Sequence, residues 1–209
     1  MEGLVLHEQQ LVIATAVFLL TYAVIVSEKI HRTVAAFSGA VVVLLLGIID
    51  LEKAIRAIDF NTIGLLVGMM IIVGITRHTG VFEYLAIRAA KGSKGEPLRI
   101  IAALSLITAV LSALLDNVTT VLLIVPVTFA IARQLEVTPI PFLIAEILAS
   151  NIGGTATLIG DPPNIMIGSA TALGFMDFVF NLTPIVVVIY VLTILIIRLI
   201  YRKQLVTKP

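Results

Sequence analysis

The chain has 209 residues, 59% of them apolar, with 14 Lys and Arg, 13 Asp and Glu, no Cys and a mean hydropathy of +1.13. A soluble domain carries about twice that share of charged residues, and stretches such as 60–76 and 178–197 contain none, which excludes a water-soluble globule. A net charge of +1 without a basic cluster excludes nucleic acid as a partner, and the lack of cysteine excludes disulfide frameworks, thiol nucleophiles and cysteine-held metals.

A helix that crosses a hydrocarbon core of about 30 Å takes roughly 20 apolar residues. Segments 10–27, 33–49, 60–76 and 180–199 meet that requirement and end at polar turns such as Ser27-Glu28-Lys29 and Asp50-Leu51-Glu52-Lys53. The first reads as a mature span, because Glu2 and Glu8 stand where a signal peptide would have its basic start. Between 80 and 91 the pattern is amphipathic, with Phe82, Leu85, Ala86 and Ala89 on one face and Glu83, Arg88 and Lys91 elsewhere. This predicts a helix lying on the cytoplasmic membrane surface, after which Gly92 to Pro97 turns the chain.

The stretch 98–132 is apolar for 35 residues apart from Ser, Thr and the pair Asp116-Asn117 near its middle. It is too long for one span and too short for two with a turn, so it reads as a re-entrant hairpin that reverses near mid-depth at Asp116-Asn117. Basic residues test the topology, since cytoplasmic loops are enriched in them. With the N-terminus outside and the C-terminus cytoplasmic, twelve of the fourteen fall inside: Lys29, Arg32, Arg77, Arg88, Lys91, Lys94, Arg99, Arg133, Arg198, Arg202, Lys203 and Lys208. Only Lys53 and Arg56 fall outside.

From 139 to 171 the chain is apolar again, but Gly153-Gly154 and Gly160-Asp161-Pro162-Pro163-Asn164 interrupt it. Proline lacks an N–H and clashes with the preceding turn, so this span is broken. The glycine pair allows unwinding, Asp161 is an N-cap type, and proline suits the first turn of the helix that restarts. Two helix N-termini near the midplane, one after each break, offer free N–H groups and a dipole that favour anions. Carbonyls freed between Gly153 and Thr157 suit a small cation, and broken helices offering both kinds of group mark a secondary transporter. The polar residues at the breaks are Asp116, Asn117, Thr119 and Thr120 on one side and Ser150, Asn151, Thr155, Thr157, Asp161 and Asn164 on the other.

Asp116, Glu146 and Asp161 lie in apolar stretches without a nearby base in the sequence. An isolated carboxylate at depth must be protonated, solvated or neutralised by a bound cation, which is the chemistry of sodium or proton coupling. Glu146, about seven residues after Pro139, is a coupling candidate that also lies within reach of Arg133. Gly64-x-x-x-Gly68 and Ser38-Gly39-Ala40 read as helix-packing surfaces. The three histidines are too scattered for a metal site, and no hydrolytic triad or phosphate loop predicts an enzyme.

Two long motifs carry a resemblance: Leu115-Asp116-Asn117-Val118-Thr119-Thr120 with Pro126, and Glu146 leading to Asn151-Ile152-Gly153-Gly154-Thr155-Ala156-Thr157 and Gly160-Asp161-Pro162-Pro163-Asn164. They resemble the ion transporter superfamily, within it the arsenite permease and sodium/proton antiporter branch and the group of the P protein, also described as citrate-transporter-like or tyrosine-transporter-like. The resemblance implies an all-α polytopic membrane protein of five spanning helices and one re-entrant hairpin, one of two inverted repeats. It implies a site drawn from the two motifs, with sodium at Asp116, Asn117 and Thr155 and no other metal or cofactor. In the dicarboxylate branch the hairpin tip reads Ser-Asn-Thr. The acid at this tip tilts the expectation toward cation binding. Only one hairpin and one Gly-Gly-Thr occur, so the chain matches an N-terminal half, expected to pair with a second repeat and, when complete, to dimerise in a bacterial or archaeal cell membrane. The function expected is half of a secondary active transporter for a small ion or organic anion (arsenite, carboxylate or amino-acid-like), coupled to sodium or protons. Sodium/proton antiport, or an inactive half acting as a membrane scaffold, is the alternative.

Overall fold

The computed structural model describes residues 2–93 and 95–202, with backbone alone for 2–8, so Lys94, Lys203 and Lys208 of the basic set lie outside the described residues. The elements are α1 (Glu2–Val26), α2 (Arg32–Leu45), α3 (Leu51–Arg56), α4 (Phe60–Arg77), α5 (Val81–Gly92), α6 (Pro97–Ser112), α7 (Asn117–Gln134), α8 (Ile140–Gly154), α9 (Pro162–Thr171) and α10 (Phe175–Tyr201). The described residues form no strand. The chain is an all-helical, polytopic membrane protein: α1, α4, α7 and α10 are long and apolar enough to cross a bilayer, and α2, α6 and α8 are shorter apolar helices.

Two compact units divide the chain, Met1–Asp59 and Phe60–Pro209. In the first, α1 packs on α2 where Gly39 removes a side chain, since a Cβ there would stand 2.3 Å from Thr21 Oγ1. The helix expected over 33–49 stops at Leu45, and the chain turns through Gly47 at φ +64°. Fourteen residues make a helix of about 21 Å, shorter than the hydrocarbon core. The segment read as an outer loop contains α3, whose charges pair at helical spacing: Arg56 with Glu52 at 2.7 Å, and Lys53 with Asp50 at 3.4 Å.

In the second unit α8 is the central helix, packed most extensively on α6 and also on α7 and α10. Its buried positions, Phe142, Ala145, Glu146, Ala149, Ser150, Gly153 and Gly154, recur every three or four residues and form one face. In lipid, helices associate through close packing rather than exclusion of water, so small residues matter most where backbones meet. Ala145, Ala149 and Gly153 provide that stripe. A Cβ on Gly153 would lie 2.1 Å from the Ala109 carbonyl oxygen of α6.

Several expected elements change in detail. Gly153 and Gly154 do not unwind the chain; they complete the last turn of α8, and the break begins at Thr155. The legs of the hairpin, α6 and α7, have 16 and 18 residues, about 24 and 27 Å. Only residues 113–116 are spent on the turn between them. Finally, the apolar face of α5 is covered by protein: Phe82 and Ala86 are buried, and α5 packs on α6 and α7. The last span also starts earlier than the hydropathy suggests, at Phe175, where the Asp177 carboxylate accepts from the Gly174 N–H at 2.8 Å.

Candidate functional site

The turn between α6 and α7 is built on Asp116. Its backbone is extended at φ −72° and ψ 151°, and its carboxylate accepts from the Thr119 N–H at 2.8 Å, which satisfies one of the unpaired donors of a helix start. The Thr120 hydroxyl donates to the Asp116 carbonyl at 2.9 Å. Thr120 is fully buried, so it braces the turn from the core side, while Asp116, Asn117 and Thr119 remain partly accessible.

The second break runs from Thr155 to Asp161. Asn164, in the first turn of α9, reaches back across it: its amide nitrogen donates to the carbonyls of Thr155 at 3.1 Å and Thr157 at 2.8 Å. The Gly153 carbonyl accepts from the Ala156 N–H at 3.0 Å. The carbonyls expected to be freed at 153–157 are thus partly occupied, each still with a second lone pair. Asp161 occupies the N-cap position of α9, yet its side chain makes no capping hydrogen bond. Pro162 and Pro163 have no N–H, and the next two N–H groups, of Asn164 and Ile165, go to the Asp161 carbonyl at 3.0 and 3.4 Å. The start of α9 therefore offers no free N–H to an anion, contrary to the expectation from the broken-helix pattern. What Asp161 presents is a half-buried carboxylate.

The two breaks meet. Asn117 of the hairpin donates to the Asn151 side-chain oxygen of α8 at 3.0 Å, and the Thr155 hydroxyl donates to the Asn151 carbonyl at 2.8 Å. Asp116, Asn117, Asn151 and Thr155 thereby form a continuous polar track from one break to the other. Beneath it, the Ser112 hydroxyl donates to the Ser150 carbonyl at 2.7 Å, and the Thr157 hydroxyl donates to the Ala113 carbonyl while accepting from the Gly160 N–H at 3.1 Å. Glycine is required at the crossing: a Cβ on Gly160 would stand 2.4 Å from the Gly154 oxygen and 2.7 Å from the Ser112 oxygen. Ser112 was not among the residues read from sequence, and its only signal there is a hydroxyl four residues before Asp116 in an apolar run.

Glu146 lies away from this track, 1% exposed on the inner face of α8. It does not pair with Arg133, which is exposed; the Thr128 hydroxyl of α7 donates to Oε1, and Oε2 has no hydrogen-bond partner. Among the described residues no group of three or more His, Cys, Asp or Glu could hold a metal ion.

The model of the citrate transporter family matches residues 22–209. The chain is 50% identical over 202 residues to a 46 kDa membrane protein of Mycobacterium leprae, covering 95% of this chain and 47% of that protein. It is 50% identical over 184 residues to an uncharacterized transporter of Mycobacterium tuberculosis, covering 86% and 43%, and 47% identical over 178 residues to the human P protein, covering 83% and 21%. The chain thus spans half or less of the length of these relatives. A family match over nearly the whole chain, on a polytopic helical fold whose two helix breaks join in one polar track, means that the chain belongs to the citrate transporter family of integral membrane transporters.

Proposed function

We propose that the chain forms one half of a secondary active transporter that moves a small anion, of the carboxylate class its family's description names, together with a coupling cation. The observation that carries this reading is the junction of the hairpin tip and the α8–α9 break through Asn117 and Asn151. Asp116, Asn117, Asn151 and Thr155 supply oxygens for sodium, and the Asp161 carboxylate, free of capping duty, adds charge at the same break. No lysine or arginine occurs between Arg99 and Arg133 or between Arg133 and Arg198, and among the described residues every lysine and arginine is exposed, so none of these competes for the acids. An anionic solute would then be drawn by the bound cation and by the dipole of α7.

Sodium/proton antiport is the second reading, favoured by the buried, half-partnered carboxyl of Glu146. A charge there would lack a counter-ion, which suits a group that carries a proton between the two sides. One experiment separates the readings: citrate uptake and internal pH are followed in proteoliposomes holding the complete transporter, under a sodium or a pH gradient. Asp116→Asn keeps the cap, since Asn is an equally good N-cap, but loses the charge. Sodium-driven citrate uptake that falls about tenfold or more in Asp116→Asn and survives in Glu146→Gln supports the proposal, a loss on the order of the free energy of one charge-assisted contact. Uptake indifferent to Asp116→Asn removes that carboxylate from coupling. Proton flux without citrate movement, abolished by Glu146→Gln, selects the antiporter.

A further inference from the structure

The end of the second unit where α6 begins and α10 ends carries a feature that the transport site does not use. A cavity of about 560 Å³ is lined by Leu98, Leu195, Arg198, Leu199 and Arg202. A second, of about 280 Å³, shares Leu98, Leu195 and Arg198 and adds Arg99 and Ile101 among its walls. Across α6 and α10 the hydrogen bonds among the described residues come from Tyr190, whose hydroxyl donates to the Ala102 carbonyl at 3.0 Å and lies 3.3 Å from Ser105 Oγ. Below that tie the helices leave a groove with an aliphatic floor and an arginine rim. Arg99 is paired with Glu96 at 2.5 Å, whereas Arg198 and Arg202, one helical turn apart, have no carboxylate partner among the described residues.

We propose that this groove binds an anionic phospholipid, with its phosphate held by Arg198 and Arg202 and an acyl chain along Leu98, Leu195 and Leu199. Guanidinium forks match phosphate oxygens in pairs, and the two arginines sit at the end of α10, where a bilayer places its headgroups. Free phosphate would leave the aliphatic floor uncovered, and a zwitterionic lipid brings a cation of its own to a rim with three arginines and one glutamate.

The chain has no tryptophan, so Leu195→Trp introduces a single indole into the groove when the chain is co-expressed with a partner half whose tryptophans are replaced by phenylalanine. In proteoliposomes, its quenching by brominated phosphatidylglycerol is compared with that by brominated phosphatidylcholine. A preference for the anionic lipid of about fivefold per arginine is expected, falling to near one in Arg198→Gln/Arg202→Gln. The pair Arg198→Lys/Arg202→Lys keeps the charge and should keep most of the preference, which separates charge loss from misfolding, and Lys53→Gln/Arg56→Gln should change nothing. Equal quenching by both lipids in Leu195→Trp with both arginines in place, an unchanged preference in the Gln pair, or displacement of the brominated lipid by millimolar inorganic phosphate would each overturn the proposal.

Discussion

At the scale of single residues, the junction depends on side chains that replace missing backbone partners. Asn164 is the clearest case, since its one amide group closes over two carbonyls that a helix would otherwise satisfy. Removing it leaves two acceptors unpaired where water is scarce, at about 1–3 kcal/mol each. Asn164→Ala should therefore lower the unfolding free energy of the chain, co-expressed with its partner half, by about 2–6 kcal/mol, on the basis of those two lost bonds. Asn164→Asp should be at least as damaging although it has the same shape, because it sets oxygen against oxygen. Denaturation curves that rank Asp with the parent rather than with Ala would refute the clamp. Its part was not legible in the sequence: Asn164 stood out as one polar residue of a motif, but which carbonyls it meets depends on how the chain returns after Asp161. The pairing of Thr128 with Glu146 was hidden for the same reason, as the two lie 18 positions apart on different helices. By contrast, the cap at Asp116 is a local feature, set by a residue three positions away, whereas Asp161, an N-cap type in the sequence, makes no such bond where two prolines follow it.

Among the elements, hydropathy and proline were the informative signals. The lipid core demands a minimum length of apolar helix, and Pro162-Pro163 forbids helix continuity, so most helices and the main break are visible before any packing is known. Helix-to-helix contacts are not visible in this way. Gly153 illustrates the difficulty, since glycine serves equally to loosen a helix and to let two backbones touch, and here it does the second. That assignment makes a prediction at the level of the α6–α8 crossing. Gly153→Ala must push Ala109 and its helix away, which should destabilise the chain by about 1–3 kcal/mol or more, the usual range for overpacking. Gly64 and Gly68 of α4, expected as a packing surface, have no close neighbour among the described residues, so Gly64→Ala should stabilise instead, by about 1 kcal/mol of helix propensity. Thermal unfolding of the two variants in the same detergent would decide it, and equal shifts would show that the close approach does not govern stability.

For the whole molecule, the decisive fact is that the polar track is open. Asn151 and Thr155 are exposed, as is Pro163 at the start of α9, and the Asn117–Asn151 hydrogen bond lies at the surface. Uncovered polar groups at membrane depth survive only against protein or a water-filled cavity, because facing lipid costs several kcal/mol each. Something must cover this face. A repeat of opposite orientation would supply the missing wall and a second set of broken-helix ends. A second copy of this chain would have to insert the other way round, against the topology expected from the basic residues, with Arg77, Arg88, Arg133, Arg198 and Arg202 on one side. We therefore predict that cysteines introduced at Gly95 and Glu136 label from the same face of sealed membranes, and that the chain alone unfolds readily in detergent. Co-expression with the remaining half of a full-length relative should raise its thermal midpoint, by analogy with the stabilisation any tight partner gives to the folded state, and should protect a cysteine placed at Asn151 from labelling. If residues 95 and 136 label from opposite faces, the hairpin model fails. If the cysteine at 151 is already shielded in the chain alone, or stays reactive beside the partner half, the open track is not an interface with that half.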